Sequence, residues 1–405
     1  MRTLNIACWG LAAALIAVAG CGDDADGSGQ GGAGQGGASQ GGASGASGSS
    51  GSSSAGTTSG GSGAATTGGS GGAGAATTGG SGGAGGSSEG YYVELTLPAP
   101  TKPSPVGDAS VTFYQDIAYG EDPLLRFDLI KPAGSEATPL VIFIHGGGFT
   151  GGAKEKAYEN TSGPQSLFDA KIAYASLNYR VLSSTALDPD GVIKPLMDSK
   201  RALQFIRYHA SELGIDPTKV ALRGGSAGAG TSLWLAFHDD MADPSATDPV
   251  FRQSTRVVTV AANSTQSTYD LGKWTDIFQE YGVDVLGTDD PSFQLSLASF
   301  YGLPSTTDIP GQLDTPAMEA YRANVDILGL MTADDPPFYV HNALPKSSPI
   351  DNGKINTGVL NHHPYHAKAL NDRGAAVGVN CSATIDALGV DENSGSDWDY
   401  LINAL

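Results

Sequence analysis

From Tyr91 onward, runs with the patterning of strands alternate with runs of helical spacing. Val111 to Tyr119 and Leu124 to Ile130 read as strands, and Gly120-Glu121-Asp122-Pro123 between them is a hairpin turn sequence. Leu140 to Ile144 (LVIFI) is a continuous apolar run, as in a strand buried on both faces, and Ile172 to Leu177 is the next such run. Ile193 to Leu213 has helical spacing, with Leu196, Ala202, Leu203, Ile206 and Leu213 on one broad face, and Gly214-Ile215-Asp216-Pro217 ends it. Val220 to Leu222 predicts a short strand, Ala227 to Phe237 a helix and Val257 to Ala262 another strand. Residues 269–330 are less regular, with helix-like pieces at Trp274 to Tyr281, Phe293 to Phe300 and Pro316 to Leu328, and read as a cap-like insertion. Phe338 to His341 is a predicted strand and His363 to Arg373 a helix closed by Gly374. Ala376 to Val379 is the last predicted strand and Trp398 to Leu405 the last helix. Two strands able to pair antiparallel, followed by repeated strand–helix units, predict an α/β fold with a mostly parallel central sheet and helices on both faces.

The first 90 residues have another character. Arg2 precedes an uncharged apolar stretch, Leu4 to Ala19, which is short for a spanning helix and of the right length for a signal peptide. Val18-Ala19-Gly20-Cys21 follows and resembles the bacterial lipobox, which implies cleavage after residue 20 and a lipid on Cys21. Gly22 after the Cys resembles the sorting pattern for the outer membrane of a Gram-negative cell. The expected location is therefore the cell envelope, as an exported bacterial lipoprotein held to the membrane by its lipid alone.

Residues 21–90 are rich in Gly, Ser, Ala and Thr, with almost no apolar side chain larger than Ala. Such a segment cannot bury enough surface to offset chain entropy and reads as a disordered tether. The repeat GAATTGGSGGA, Gly63 to Ala73 and again Gly74 to Ala84, contains nothing to pack and is a linker repeat. A Gly-rich coil of about 65 residues spans roughly 45 Å root-mean-square. The folded domain is expected over 91–405, about 315 residues, ample for one core.

Net charge is −20, and very few charged residues precede Glu89, so the acidity belongs to the domain. Nucleic acid and anionic lipid surfaces are repelled by it and are excluded as partners. Of three cysteines, Cys8 and Cys21 are in the leader, which leaves Cys381 without a disulfide partner in the domain.

Gly224-Gly225-Ser226-Ala227-Gly228 has the form G-x-S-x-G between a predicted strand and a predicted helix, the context of a nucleophile elbow. Small flanking residues permit the sharp turn, and the helix N-terminus favours negative charge near Ser226. His145-Gly146-Gly147-Gly148-Phe149 follows the LVIFI strand. Its glycines let backbone amides approach a substrate carbonyl as oxyanion donors. Gly147, Gly148 and Ala227 are the expected donors, with His145 and Gly146 supporting the loop.

HGGGF with Gly151-Gly152, Asn178-Tyr179-Arg180, Asp198 with Arg201-Ala202, and Gly214-Ile215-Asp216-Pro217 leading to GGSAG together resemble the α/β-hydrolase carboxylesterases of the hormone-sensitive-lipase and feruloyl/acetyl-esterase kind. The resemblance is strongest from about Leu140 to Phe237. It implies an α/β-hydrolase fold and a serine esterase in which Ser226 attacks the ester and His145 shapes the oxyanion loop. It implies no metal and no organic cofactor, and a small-molecule or polysaccharide ester as substrate.

The same resemblance places the acid after Phe338 to His341 and the base after the last strand, yet no His follows Ala376. His363, in Asn361-His362-His363-Pro364, is the first candidate base, with His362 close behind. Asp351 is the first candidate acid; Asp334 and Asp335 precede the strand, and Asp386 and Asp391 stand where the base belongs. The H-G-x-x-D spacing is missing after Val340, where Asn342-Ala343 stands instead. Either a His at this earlier place completes the triad, or the triad is incomplete and the domain binds a glycan or partner with impaired catalysis. Asp198 and Arg201 have the spacing of an i,i+3 helix pair. Trp274, Tyr281 and Phe300 are candidates to line a pocket.

Overall fold

The structure is a computed structural model and describes residues 93–134, 137–392 and 395–405. The leader, Cys21 and the Gly/Ser/Ala/Thr-rich segment lie outside the described residues. β1 (Val111–Ala118) and β2 (Arg126–Pro132) pair antiparallel, as the hairpin pattern predicts. β2 also pairs antiparallel with β4 (Ala173–Leu177). From there β3 (Thr138–Ile144), β5 (Ile215–Gly225), β6 (Val260–Asn263), β7 (Phe338–His341) and β10 (Cys381–Ile385) continue in parallel. β11 (Val390–Asp391) adds an antiparallel edge. The resulting order is β1-β2-β4-β3-β5-β6-β7-β10-β11, with a separate hairpin of β8 (Ile350–Asp351) and β9 (Lys354–Ile355).

The continuous apolar character of β3 follows from burial on both faces. Successive side chains point to opposite sides of a strand. Leu140, Ile142 and Ile144 pack with Leu196 and Leu233, on the helices Ile193–Tyr208 and Ala227–Phe237. Val141 and Phe143 pack with Leu167 and Leu401, on the helices Ser162–Asp169 and Asp397–Ala404. Each residue from Leu140 to Ile144 thus packs into one layer or the other.

The structure corrects the sequence pattern at several places. Ala376 to Val379 is not a strand. The helix Pro364–Val377 runs through Gly374 and stops at Gly378, which takes a left-handed φ of 87°. The last parallel strand is Cys381–Ile385. Within the helix after Gly374 only Val377 packs on the core, and so short an apolar run does not distinguish a last helical turn from a strand. The long helix breaks at His209 into Ile193–Tyr208 and Ala210–Leu213. The Asp198/Arg201 pair is also not formed locally. Asp198 receives two hydrogen bonds from the Arg180 guanidinium at 2.8 and 2.6 Å, and Arg201 pairs with Asp248 at 2.8 Å. Both residues are buried, so tertiary partners outcompete a neighbour on the same helix.

Residues 269–330 fold mainly as helices, including Pro291–Phe300 and Pro316–Val325, with a hydrophobic cluster of their own that contains Trp274, Phe278, Leu297 and Tyr301. Leu360 joins that cluster from outside the insertion.

Candidate active site

Loops that follow parallel strands gather at one edge of the sheet. Those after β3, β5, β6 and β7 carry the groups that meet here. Ser226 sits between β5 and the helix Ala227–Phe237 with φ 53° and ψ −122°, a conformation rare for a non-glycine residue. Its amide donates to Asn263 O on β6 at 2.9 Å. The elbow is tight enough that a Cβ on Gly228 would lie 1.9 Å from Ile144 O. The G-x-S-x-G glycine is therefore required where the helix crosses the end of β3.

The triple-glycine loop lies against this turn. A Cβ on Gly146 would stand 3.2 Å from Ser226 Cβ. Gly147 and Gly148 take φ of 110° and 59°, which glycine adopts without penalty. Among the described residues their amides make no hydrogen bond. His145 anchors the loop from behind. Its ring stacks on Tyr179 at 4.2 Å, Tyr179 Oη donates to His145 O at 2.8 Å, and its Nδ1 is 2.7 Å from Gly146 O. Burial pushes the His145 imidazole down to about 4, so it is neutral at ordinary pH.

His362 Nε2 lies 2.8 Å from Ser226 Oγ. The first candidate base, His363, is not at the serine. The two residues are adjacent, but the helix Thr357–His362 ends between them, and His363 turns to an extended conformation with ψ 143°. Its Nδ1 accepts from Tyr365 N at 3.1 Å as the N-cap of the next helix, and its ring lies between Phe278, Tyr281 and Tyr365. Burial pushes the His363 imidazole down to about 4. Burial also lowers the His362 imidazole from its usual value, partly offset by the Gly358 carbonyl one turn back on the same helix.

Asp351 is not beside either imidazole. It is exposed on the small hairpin, opposite Lys354. Ile350 and Ile355 of that hairpin pack against the hydrophobic cluster of the insertion. Among the described residues no carboxylate is hydrogen-bonded to His362. At the end of β7, where the resemblance expects an acid, stands Asn342, fully buried. Its Nδ2 faces the carbonyls of His362 and His363. The missing H-G-x-x-D spacing was the only sequence signal for this change.

Beside Ser226 opens a cleft lined by Gly148 and Ala227 and by Tyr269, Trp274, Phe293 and Phe300. Its wall is mainly apolar, with Gln266, Thr357 and Asn361 as polar members. Of the aromatic candidates, Trp274 and Phe300 line it, whereas Tyr281 packs on His363 and Tyr365. Among the described residues no group of three or more His, Cys, Asp or Glu could hold a metal ion.

The strand order, the elbow and the loop after β3 together decide the class. The protein has an α/β-hydrolase fold. Residues 127–280 of this chain match the family model described as BD-FAE. Its curated relatives include an isoprenylcysteine alpha-carbonyl methylesterase of Arabidopsis thaliana, 33% identical over 117 residues, 28% of this chain and 25% of that protein. Lipase 2 of Diutina rugosa is 26% identical over 220 residues, 51% of this chain and 39% of that protein. This chain thus spans less than half the length of either relative, and both are carboxylic ester hydrolases by name. A solved structure described as a truncated form of carbohydrate esterase from gut microbiota aligns with TM-score 0.48 at 15% identity, over 69% of this chain and 88% of that one.

Proposed function

We propose that this α/β-hydrolase is a serine carboxylesterase that cleaves carboxylic esters through an acyl-enzyme on Ser226. The observation that carries the reading is the 2.8 Å contact between Ser226 Oγ and His362 Nε2 at a strained elbow beside the triple-glycine loop. In this mechanism His362 takes the hydroxyl proton as Oγ bonds to the ester carbonyl carbon. The amides of Ala227 and of Gly147 or Gly148 receive the oxyanion, and His145 keeps their loop in place. His362 then gives its proton to the departing alcohol, and water repeats the sequence to release the acid. The apolar part of the cleft suits the acyl group. Gln266, Thr357 and Asn361 suit a hydroxylated alcohol, such as an acylated polysaccharide. No cofactor takes part. Exported and lipidated at Cys21, with a tether of about 65 residues, the domain would reach esters away from its membrane.

A fluorophosphonate probe tests the reading on the purified protein. Labelling is expected, and Ser226→Ala and His362→Ala are expected to abolish it or slow it by about 1,000-fold or more. The second reading, a domain of impaired catalysis that binds a glycan or partner, is favoured by the lack of a carboxylate at His362 among the described residues. An unlabelled wild-type protein that still binds such a ligand after Ser226→Ala would establish that reading instead.

A further inference from the structure

The last carbonyls of a helix have no partners within it. At the end of the helix that carries His362, four consecutive carbonyls are each met by a buried side chain. His366 Nε2 is 3.0 Å from Leu360 O, and Gln266 Nε2 donates to Asn361 O at 2.8 Å. Asn342 Nδ2 donates to His363 O at 3.1 Å and to His362 O at 3.4 Å.

The donors are themselves fixed. Asn342 also accepts from Thr265 N at 2.9 Å and donates to Thr265 O at 3.0 Å. His366 Nδ1 accepts from Ser267 N at 3.2 Å, which puts its proton on Nε2, the atom facing Leu360 O. None of the three is more than 6% exposed. Their supporting segment, Thr265 to Ser267, begins two residues after Asn263, whose carbonyl holds the Ser226 amide. The base and the nucleophile are thus tied to one short stretch of chain.

In a triad the carboxylate fixes the orientation of the imidazole through its ring. Among the described residues no carboxylate meets the ring, which has the Gly358 carbonyl one turn back, and its backbone is held by the three side chains. We propose that Asn342, Gln266 and His366 are positioning residues that hold the His362 base through its main chain, so that Ser226 and His362 work as a pair without an orienting acid. This rests on the esterase reading above.

The experiment measures kcat and KM for 4-nitrophenyl acetate per serine titrated with fluorophosphonate, so that a smaller folded fraction does not count as lost catalysis. Asn342→Asp keeps the size of the side chain and removes the donor. It is expected to lower kcat by about 100-fold, the scale of a misplacement near 1 Å, with KM within about 3-fold. Gln266→Met, which removes a different donor, is expected to lower kcat by about 10-fold and carries the test if Asn342→Asp does not fold. Asp351→Asn and Asp386→Asn are expected to leave kcat within about 2-fold of wild type. An Asn342→Asp enzyme as fast as wild type or faster would mean that a carboxylate at this place serves the ring, and would overturn the proposal. So would a collapse of kcat in either Asp→Asn variant, or an unchanged kcat in Gln266→Met. A wild-type protein that is neither labelled nor active would remove the esterase reading and the proposal together, a result distinct from the others.

Discussion

Ser226 and His362 face each other across a contact that depends on two unusual residue states. The serine holds a left-handed φ, which costs a non-glycine residue about 1–3 kcal/mol and persists only because its surroundings enforce it. The imidazole is buried, and burial lowers its affinity for a proton. A base acts only when neutral, so activity disappears as pH falls through the pKa of the folded enzyme. Because that pKa is lowered, the acidic limb of kcat/KM is expected below the ordinary imidazole value. A pH profile of 4-nitrophenyl acetate hydrolysis measures it, and a limb above the ordinary value would show that a carboxylate reaches the ring after all. The sequence made Ser226 legible because its neighbours must be small. It left His362 and His363 nearly equal, because two adjacent histidines differ only in which side of the chain they leave. The end of the helix Thr357–His362 decides that, and no residue pattern marks it.

At the scale of elements, the triple-glycine loop is held at both ends. Behind it His145 stacks on Tyr179, and beyond it Lys154 enters the core. Lys154 Nζ lies 2.9 Å from Asp128 on β2, 3.0 Å from Asp116 on β1 and 2.7 Å from Glu155. Its amide donates to Asn178 Oδ1 at 2.6 Å, just past β4. Burial alone would lower the lysine pKa; the hydrogen bonds it donates to Glu155, Asp128 and Asp116 raise it overall, so the ammonium persists. Lys154→Met would leave Asp128, which is fully buried, without its cation. The expected cost is about 3–5 kcal/mol, read as a lower urea midpoint at pH 7. A midpoint unchanged within error would mean that the lysine is not an anchor. This network could not be read from the sequence. Lys154 follows the glycine loop as an ordinary polar residue, and only the pairing of β1, β2 and β4 gathers its partners.

Over the whole molecule, the two ends of the described chain take different places on the sheet. β1 and β2 form one flank, and the helix Asp397–Ala404 covers the face opposite the helix Ala227–Phe237. Asp397 Oδ2 accepts from Arg223 Nε on β5 and from Asn263 Nδ2 on β6, each at 2.7 Å. The Arg223 guanidinium lies 4.0 Å over the ring of Trp398. The final helix is thereby fastened to the two strands that hold the serine elbow. Asp397→Ala is expected to destabilise the fold by about 3 kcal/mol. Urea denaturation checks this, and a change well under 1 kcal/mol would show that the helix is held by its apolar face alone.

The sequence by itself determined the layered α/β architecture, because patterning and turn residues are local properties that each segment carries with it. It also determined the elbow and the tight triple-glycine loop, because backbone geometry that only glycine tolerates leaves a trace in the residues. The tertiary structure alone decided which histidine meets the serine, that Asp351 stays away, that the last parallel strand is Cys381–Ile385, and that Asn342 occupies the expected place of the acid. Those outcomes depend on which distant segments share a neighbourhood. Hydrogen bonds between residues 265–267, 342 and 360–366 set that neighbourhood, and partners so far apart along the chain leave no periodic signal in it.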